Sequence, residues 1–239
     1  MSYDQNTRNE FLKDYTDKNL KKKKNKYYKK VILWQFVVKF SYFLKRVIDL
    51  VLSIIFLIIL SPIMVLTSLA IVIEDPGPIL FFQTRIGKDG KPFDFYKFRS
   101  MVVDADKKKK DLLSKNESKN GIIFKMKRDP RVTKVGRFIR HFSIDELPQL
   151  INVLKGDMSL VGPRPPLPSE VNSYSLEDRK RLHIKPGITC IWQVSGRSDI
   201  PFNKQVELDK QYISSHSFWK DLLILLKTIP AVITGKGAY

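Results

Sequence analysis

The sequence predicts a mixed, mostly α-helical fold with a short β-hairpin, in a chain that is attached to a membrane. Leu50 to Ile73 carries no charged residue, and a helix of this length would cross a bilayer core of about 30 Å. Phe93 to Phe98 alternates aromatic with polar residues and follows a turn sequence from Lys88 to Lys91, a pattern typical of a hairpin. Apolar residues also recur at helical spacing, as at Leu147, Leu150, Ile151 and Leu154.

The composition indicates a negatively charged partner. The chain has 239 residues, and its formal net charge is +19. An excess of this size favours contact with nucleic acid, anionic lipid headgroups or a phosphorylated substrate. Cys190 is the single cysteine, so an internal disulfide is excluded and a reducing compartment is indicated.

Charge and hydropathy divide the chain into three segments. Residues 1–44 form a basic tail and an interfacial segment, residues 45–75 a membrane helix, and residues 76–239 a further domain that ends in an amphipathic helix. The first 30 residues are predicted to be disordered or bound to a surface, where their lysines would contact an anionic lipid membrane. Val31 to Phe43 is aromatic and apolar, which is typical of a helix at the headgroup level.

The uncharged segment allows two topologies. Ser61-Pro62 stands near its middle, and proline removes a backbone hydrogen bond and bends a helix. Basic residues flank the segment on both sides, Lys45 and Arg46 among them, and such residues favour the cytoplasmic face. A re-entrant helix broken at Ser61-Pro62 satisfies both observations, whereas a kinked span satisfies only the first. Both topologies stay open on these grounds.

The rest of the pattern predicts short elements. Strands are expected at residues 79–82 and 93–98, helices at 100–113, 175–182, 206–213 and 219–233, a loop at 116–121 and irregular chain at 159–169. The last helix is strongly apolar. It would therefore either pack into the core or lie on the membrane surface.

Two adjacent carboxylates stand just before the apolar helix that starts near Leu147. Ser143 and Glu146 have the spacing of a capping box. Asp145 is an alternative N-cap, and it would place Pro148 in the first turn. Capping alone would explain both acidic residues. A helix N-terminus also suits phosphate, however, and an ionised Asp145 at that point is a candidate nucleophile.

Basic residues in short, otherwise uncharged contexts favour a phosphate site. Arg164 stands between Pro163 and Pro165, which stiffen its loop and orient its guanidinium toward an oxyanion. Comparable contexts surround Lys97, Arg99, Arg131 and Arg197. Each of them alone would also suit a structural ion pair. Together with the carboxylates they suggest a diphosphate site that includes Mg²⁺, which prefers one or two carboxylates plus phosphate oxygens.

The order of these motifs carries a resemblance to a known family. The motifs are Lys45-Arg-Val-Ile-Asp49, Ser61-Pro62, Lys97-Phe-Arg-Ser-Met101, Asp129-Pro-Arg131, Ser143-Ile-Asp-Glu-Leu-Pro-Gln149, Gly156 to Pro165, Pro186-Gly-Ile-Thr189, Gln193-Val-Ser-Gly-Arg197 and Leu208-Asp209. Residues 45–235 thereby resemble the bacterial sugar transferase family, the monotopic polyprenyl-phosphate phosphoglycosyl transferases. One departure is Cys190, where many members have Gly.

The resemblance implies a monotopic enzyme at the cytoplasmic face of the cell membrane. Asp145 would attack the β-phosphate of a nucleotide diphosphosugar, a UDP-sugar, and pass the phosphosugar to polyprenyl phosphate, undecaprenyl phosphate, to start a surface glycoconjugate. Glu146 would hold Mg²⁺. The implied re-entrant membrane segment includes Lys45, Arg46, Asp49, Ser61 and Pro62. The implied substrate contacts are Lys97, Arg99, Arg131, Arg140, Pro163, Arg164, Pro165, Arg197 and Asp209.

Two other functions fit parts of the sequence. The charge of +19 permits a membrane-anchored protein that binds nucleic acid. The arginines stand in Pro/Gly contexts instead of along a helix face, so no nucleic-acid partner is expected. A non-catalytic membrane scaffold of the same fold would not need the Asp145-Glu146 pair. Neither the sugar nor the oligomeric state follows from residue types.

Overall fold

The computed structural model describes residues 5–112, 126, 128–235 and 237. Two compact units divide the chain, one that ends at Val47 and one that begins at Ile48. Helix α1, Gln5–Glu74, contributes to both units. It is long and apolar enough to cross a membrane, and only 11% of its most apolar window is buried within the protein.

The first unit consists of the N-terminal part of α1. The sequence leaves the first 30 residues either disordered or surface-bound, and the structure has them helical from Gln5. The lysines at positions 21–24 are exposed, and so are the aromatic side chains of Trp34, Phe36 and Phe40. Basic and aromatic side chains therefore occupy consecutive stretches of an exposed helix.

In the second unit, α1 runs through Ser61 and Pro62 without interruption. Pro62 has no N–H to donate to the carbonyl of Ile58, four residues earlier. The Ser61 hydroxyl donates to that carbonyl at 2.8 Å and offsets the lost bond. The helix is thus continuous where the sequence predicts a break, and its re-entrant path stays a prediction.

Both ends of the uncharged segment contact the rest of the second unit. At its start, the buried carboxylate of Asp49 accepts the N–H of Leu160 at 3.1 Å. At its end, Glu74 accepts the N–H groups of Lys134 and Val135 at 2.6 and 2.8 Å, so it caps the helix that begins there. The segment is therefore fixed to the same domain at both ends.

Strands β1, Leu80–Ile86, and β2, Pro92–Phe98, form the predicted antiparallel hairpin. A 3-10 turn, Lys88–Gly90, joins them. The register pairs Gln83 with Phe95, so alternate residues of both strands share one face of the hairpin. The pattern of the sequence located this hairpin correctly, although β1 is longer than predicted.

The elements that follow are α2 Ala105–Leu112, α3 Lys134–His141, α4 Gln149–Lys155, β3 Ser159–Val161, α5 Pro168–Asn172, β4 Gly187–Thr189, α6 Ile191–Ser195, α7 Phe202–Ser215 and α8 Phe218–Thr234. Helices α7 and α8 confirm the predictions for residues 206–213 and 219–233. The helix predicted at 100–113 begins only at Ala105. The loop predicted at 116–121 lies outside the described residues.

Two predictions for the middle of the chain hold only in part. Residues 159–169 are not all irregular, because β3 pairs in parallel with β4 and α5 begins at Pro168. The short helix predicted at 175–182 is present as a 3-10 helix, Asp178–His183, which begins three residues later than predicted. Glycines allow the unexpected strand pairing, since a Cβ on Gly187 would lie 2.0 Å from the nitrogen of Gly162.

Helix α8 has two different sides. Ile224 is buried in the main core cluster together with Val153 and Met158. The exposed side carries Trp219, Leu223, Leu226, Ile229 and Ile233. One side thus packs in the core, and the other is an apolar surface of the kind that marks contact with a membrane or a partner.

Candidate active site

A cavity of about 1250 Å³ lies in the second unit, between α1, the hairpin, α3, α6 and α8. It is of a size that accommodates a substrate larger than a simple metabolite. Most of the site residues predicted from the sequence line it together, namely Lys97, Arg99, Arg131, Arg140, Asp145, Glu146, Arg164, Pro165 and Arg197.

The carboxylate pair lies in a 3-10 turn, Ile144–Glu146, that precedes helix α4. Ser143 has left-handed backbone angles, φ 55° and ψ 22°, and its side chain caps no helix. The predicted capping box is therefore wrong, and so is a helix start at Asp145, because α4 begins after Pro148. A left-handed serine is unusual, and such strained residues cluster at functional sites. Here it turns the chain so that both carboxylates face the cavity.

Two cations contact Glu146. The ammonium of Lys97 lies 2.7 Å from Oε1 of Glu146, and Nη1 of Arg164 lies 3.3 Å from the same oxygen. Lys97 also lies 3.5 Å from Oδ2 of Asp145. Lys97 therefore bridges the two acidic side chains, whereas Asp145 has the weaker contact.

This asymmetry separates the pKa values of the two carboxyl groups. Burial raises the pKa of Asp145, and the charge of Glu146 adds to this, while Lys97 and Arg140 act against it. Burial also opposes ionisation of Glu146, but Lys97 and Arg164 outweigh it and lower its pKa to about 2. Glu146 is thus an anion at any working pH. Asp145 is the more basic of the two, which suits a nucleophile.

Arg140 and Arg197 lie near the carboxylates and are not engaged by them at ion-pair distance. Nε of Arg140 donates to the Ser100 hydroxyl at 2.8 Å. Arg197 has left-handed backbone angles, with φ 52°. Burial lowers the pKa of each guanidinium, and the negative charge of Asp145 opposes this in both. Two cationic groups therefore line the same cavity as Asp145, an arrangement that suits an anion such as phosphate.

Two of the predicted substrate contacts have internal partners. The guanidinium of Arg131 binds the Asp129 carboxylate through two parallel contacts, at 2.9 and 2.6 Å. Arg99 lies 3.3 Å from Oδ2 of Asp75, just after α1, and also donates to the backbone carbonyl of Asp75. Both arginines line the cavity, but their charges are largely offset by these carboxylates.

Two other predicted contacts do not line the cavity. The carbonyl of Pro163 accepts the N–H of Gly187 at 2.9 Å, so this proline holds the loop to β4. Asp209 is completely buried and pairs with Arg181 at 2.5 Å, and Arg181 in turn donates to the hydroxyl of Tyr174. Burial raises the pKa of Asp209 to about 6, although Arg181 opposes the shift. Asp209 thus supports the cavity through Arg181, which does line it.

The sequence did not single out Gln83, Arg85 or Arg181 as site residues, yet all three line the cavity. In the sequence, Arg85 is one of several basic residues that follow the uncharged segment. The register of the hairpin would have identified Gln83 and Arg85, because Phe81 pairs with Lys97 and Gln83 with Phe95. Alternate residues of β1 therefore lie on the face that carries Lys97. Arg181 offers no such signal, since it meets Asp209 only in the tertiary structure.

Apolar side chains form another part of the cavity wall. Phe56, Leu60 and Ile63 of the membrane segment contribute to it. Further apolar positions come from α3 and α8, at Phe138, Leu225, Ala231 and Val232. The cavity thus combines a cationic region at the carboxylates with a hydrocarbon-like region next to α1.

A sequence model of the family described as bacterial sugar transferase matches residues 40–235. The chain belongs to the bacterial sugar transferase family. The match includes the hairpin, the carboxylate pair and the Arg164 loop, and it excludes most of the basic N-terminal segment. The resemblance inferred from the sequence motifs is therefore confirmed.

Individual relatives differ in length from this chain. The galactosyl transferase CpsE of Streptococcus agalactiae is 54% identical over 69% of this chain and 37% of its own length. The undecaprenyl-phosphate galactose phosphotransferase of Salmonella typhimurium is 46% identical over 83% of this chain and 42% of its own length. The exopolysaccharide production protein ExoY of Sinorhizobium fredii is 38% identical over 82% of this chain and 88% of its own length. The chain thus spans less than half of the first two relatives and most of the third.

Proposed function

We propose that this sugar transferase moves a sugar 1-phosphate from a UDP-sugar to undecaprenyl phosphate through a covalent intermediate on Asp145. The observation that carries the proposal is the pair of a buried Asp145 and a partly buried Glu146 in a cavity that Lys97, Arg164 and Arg197 also line. A carboxylate approaches a diphosphate only if cations offset the repulsion between like charges. The names of the relatives, which include sugar phosphotransferases that act on undecaprenyl phosphate, support the same reaction.

In the first half-reaction, an oxygen of Asp145 forms a bond to the β-phosphorus of the donor. The bond between that phosphorus and the bridging oxygen breaks, and nucleoside monophosphate leaves with the electron pair. Arg164 and Arg197 would stabilise the charge that moves onto the phosphate oxygens. The phosphosugar then remains on Asp145.

In the second half-reaction, an oxygen of polyprenyl phosphate attacks the same phosphorus and releases the Asp145 carboxylate. The product is polyprenyl diphosphosugar. The apolar wall beside α1, with Phe56, Leu60 and Ile63, supports a lipid acceptor whose phosphate enters from the membrane side. The product would start a surface polysaccharide, as the exopolysaccharide name of one relative suggests.

A divalent cation fits the donor set at Glu146. Mg²⁺ prefers one or two carboxylates plus substrate phosphate oxygens. Among the residues that the structure describes, no three His, Cys, Asp or Glu side chains gather into a metal site made by protein alone. Glu146 would hold the ion, which would neutralise phosphate charge when bound. Donor turnover that persists in EDTA would remove the metal from this account.

The topology proposed for α1 is re-entrant, with both ends of the uncharged segment on the cytoplasmic side. A helix that crossed the bilayer would place the two ends of the segment on opposite faces of a core about 30 Å thick. The contacts of Asp49 with Leu160 and of Glu74 with Lys134 tie both ends to one domain, which supports a return to the same face. The apolar side of α8 would add to the attachment by lying on the headgroup layer.

Cysteine labelling tests this topology. In a Cys190→Ser background, a Leu20→Cys variant in intact cells is expected to resist a membrane-impermeant thiol reagent and to react after lysis. The physical reason is that Lys45 and Arg46 cost roughly 2.5–3.5 kcal/mol each at the centre of a membrane helix. Labelling of intact cells would show that α1 spans the membrane. An Asp89→Cys variant in the same background is the matched control, since the hairpin turn is exposed and its domain carries the site.

A panel of nucleotide sugars tests the reaction itself. Purified protein in detergent or nanodiscs with Mg²⁺ and undecaprenyl phosphate is expected to release UMP from UDP-galactose, UDP-glucose or UDP-N-acetylgalactosamine. Mass spectrometry of the lipid product identifies the sugar. The absence of both UMP and lipid diphosphosugar with every nucleotide sugar tried would overturn the proposal. Release of free UDP would instead indicate a glycosyl transfer that leaves the phosphate behind.

A further inference from the structure

We propose that Arg85 is a positioning residue for this reaction, because it holds the loop at 163–166 where Arg164 meets Glu146. The inference rests on the proposed function, since it assigns one more residue to the same site. Arg85 lies at ion-pair distance from neither Asp145 nor Glu146. It acts on the loop and thereby on Arg164.

Two hydrogen bonds tie the end of β1 to this loop. Nη1 of Arg85 donates to the carbonyl of Pro165 at 3.0 Å. The N–H of the next residue, Ile86, donates to the carbonyl of Pro166, also at 3.0 Å. Glu170, at the start of α5, lies 3.8 Å from the same Nη1 and is itself buried. The loop is therefore fastened to the end of β1 at two consecutive carbonyls, those of Pro165 and Pro166.

The orientation of the Arg85 guanidinium is fixed by its other contacts. Nε and Nη2 both donate to Oε1 of Gln83, at 3.1 and 2.7 Å. The group lies over the ring of Phe95, with its central carbon 5.4 Å from the ring centroid. The Arg85 guanidinium thus donates to the Gln83 side chain and to the Pro165 carbonyl, and these acceptors fix its orientation. The guanidinium stays charged at neutral pH, because burial and the charge of Arg164 lower its pKa only to about 10.

The hairpin thereby controls both cations that bind Glu146. Lys97 extends from β2, lies over the same Phe95 ring at 5.5 Å and reaches Glu146 directly at 2.7 Å. Arg164 reaches Glu146 at 3.3 Å from the loop that Arg85 holds. A continuous series of contacts therefore runs from Arg85 in β1 to the loop, from Arg164 in the loop to Glu146, and from Glu146 to Lys97 in β2. Release of the loop would move Arg164 and leave Lys97 in place.

Hydrogen exchange of the protein without substrate tests the structural half of this inference. In Arg85→Lys, the amides of Gly162, Arg164 and Leu167 are expected to exchange faster than in the wild type. A lysine has a single terminal nitrogen and cannot reproduce the planar fork whose separate nitrogens reach Gln83 and Pro165. Arg179→Lys is the matched control, because Arg179 is exposed and does not line the cavity. Unchanged exchange in Arg85→Lys would overturn the inference even if the protein is an active transferase.

A double-mutant cycle tests the functional half. The rate of the covalent adduct on Asp145, with the donor that the wild type turns over, is expected to fall between about 10- and 100-fold in Arg85→Lys, the cost of a misplacement near 1 Å. The double variant Arg85→Lys/Arg164→Lys should then be no slower than Arg164→Lys alone, because Arg85 acts through Arg164. Effects that multiply would make Arg85 an independent phosphate contact and sink the positioning role.

Gln83→Met provides a second variant that keeps the charge of Arg85. It removes the acceptor that orients the guanidinium, so the adduct rate should fall in the same direction as in Arg85→Lys. Full activity of Gln83→Met would mean that only the charge matters, which contradicts the inference. If the wild type forms no adduct with any donor, the proposed function fails, and the exchange measurement still decides whether Arg85 holds the loop.

Discussion

Replacement of Asp145 by Asn is expected to lower the turnover rate by roughly 10⁴-fold or more, the scale seen when a catalytic nucleophile is lost. The covalent phosphosugar adduct should no longer form. An amide has nearly the same shape as the carboxylate but is a far weaker nucleophile. The variant should stay folded, because the ion pair of the Asp145 side chain within the described residues is a long one, 3.5 Å from Lys97. Intact-protein mass spectrometry after incubation with the donor alone measures the adduct directly.

The control for this substitution is Asp89→Asn in the hairpin turn. Asp89 is exposed and has left-handed backbone angles, which Asn also tolerates. It should keep the wild-type rate and the wild-type adduct. An adduct that peptide mapping places on Glu146 or on any residue other than Asp145 would remove Asp145 from the role of nucleophile.

Replacement of Lys97 by Met is expected to slow adduct formation by about 10²- to 10³-fold, comparable to the loss of one preorganised charge-stabilising group. Lys97 is the one side chain within ion-pair distance of both Asp145 and Glu146 among the residues that the structure describes. Without it, two neighbouring carboxylates would face each other with less compensation. The methionine keeps the length of the aliphatic chain over Phe95, so packing is preserved.

The dependence of this rate on pH gives a second measurement on the same variant. Only the ionised carboxylate attacks, so the rate should rise as the pH rises through the pKa of Asp145. Burial raises the pKa of Asp145, so the midpoint of the rate–pH curve in the wild type should lie above the pKa of an ordinary Asp. Lys97 opposes this rise, so the midpoint should move to a still higher pH in Lys97→Met. Lys204→Met is the control, since Lys204 is exposed and pairs with Glu207 within one helix. A midpoint that stays in place or falls would contradict the assigned role of Lys97.

Patterns that are local in the sequence predicted local structure well. The alternation in Phe93 to Phe98 next to a turn located the hairpin, because strand faces repeat every two residues. The apolar spacing in the last 40 residues located α7 and α8. The adjacent acidic residues and the arginine between two prolines identified the center of the site, since few structural needs place those residue types together.

Other local patterns were misleading because tertiary contacts outweigh them. Ser143 and Glu146 have capping-box spacing, yet Ser143 is left-handed and Glu146 points into the cavity toward Lys97. A cap of this kind stabilises by about 1 kcal/mol, and in the folded chain Glu146 contacts Lys97 and Arg164 in place of the backbone of Ser143. The proline-rich chain after Gly156 looked irregular, but β3 forms where Gly162 lies against Gly187.

The sequence by itself identified residue types that suit a diphosphate and an uncharged segment long enough to cross a membrane. Only the tertiary structure decided which carboxylate each of the arginines pairs with. Arg99 and Arg164 look alike in the chain, but the first pairs with Asp75 and the second with Glu146 in the cavity. The difference has a physical cause: an ion pair depends on which side chains meet across long separations and on how deeply both are buried, and residue type encodes neither.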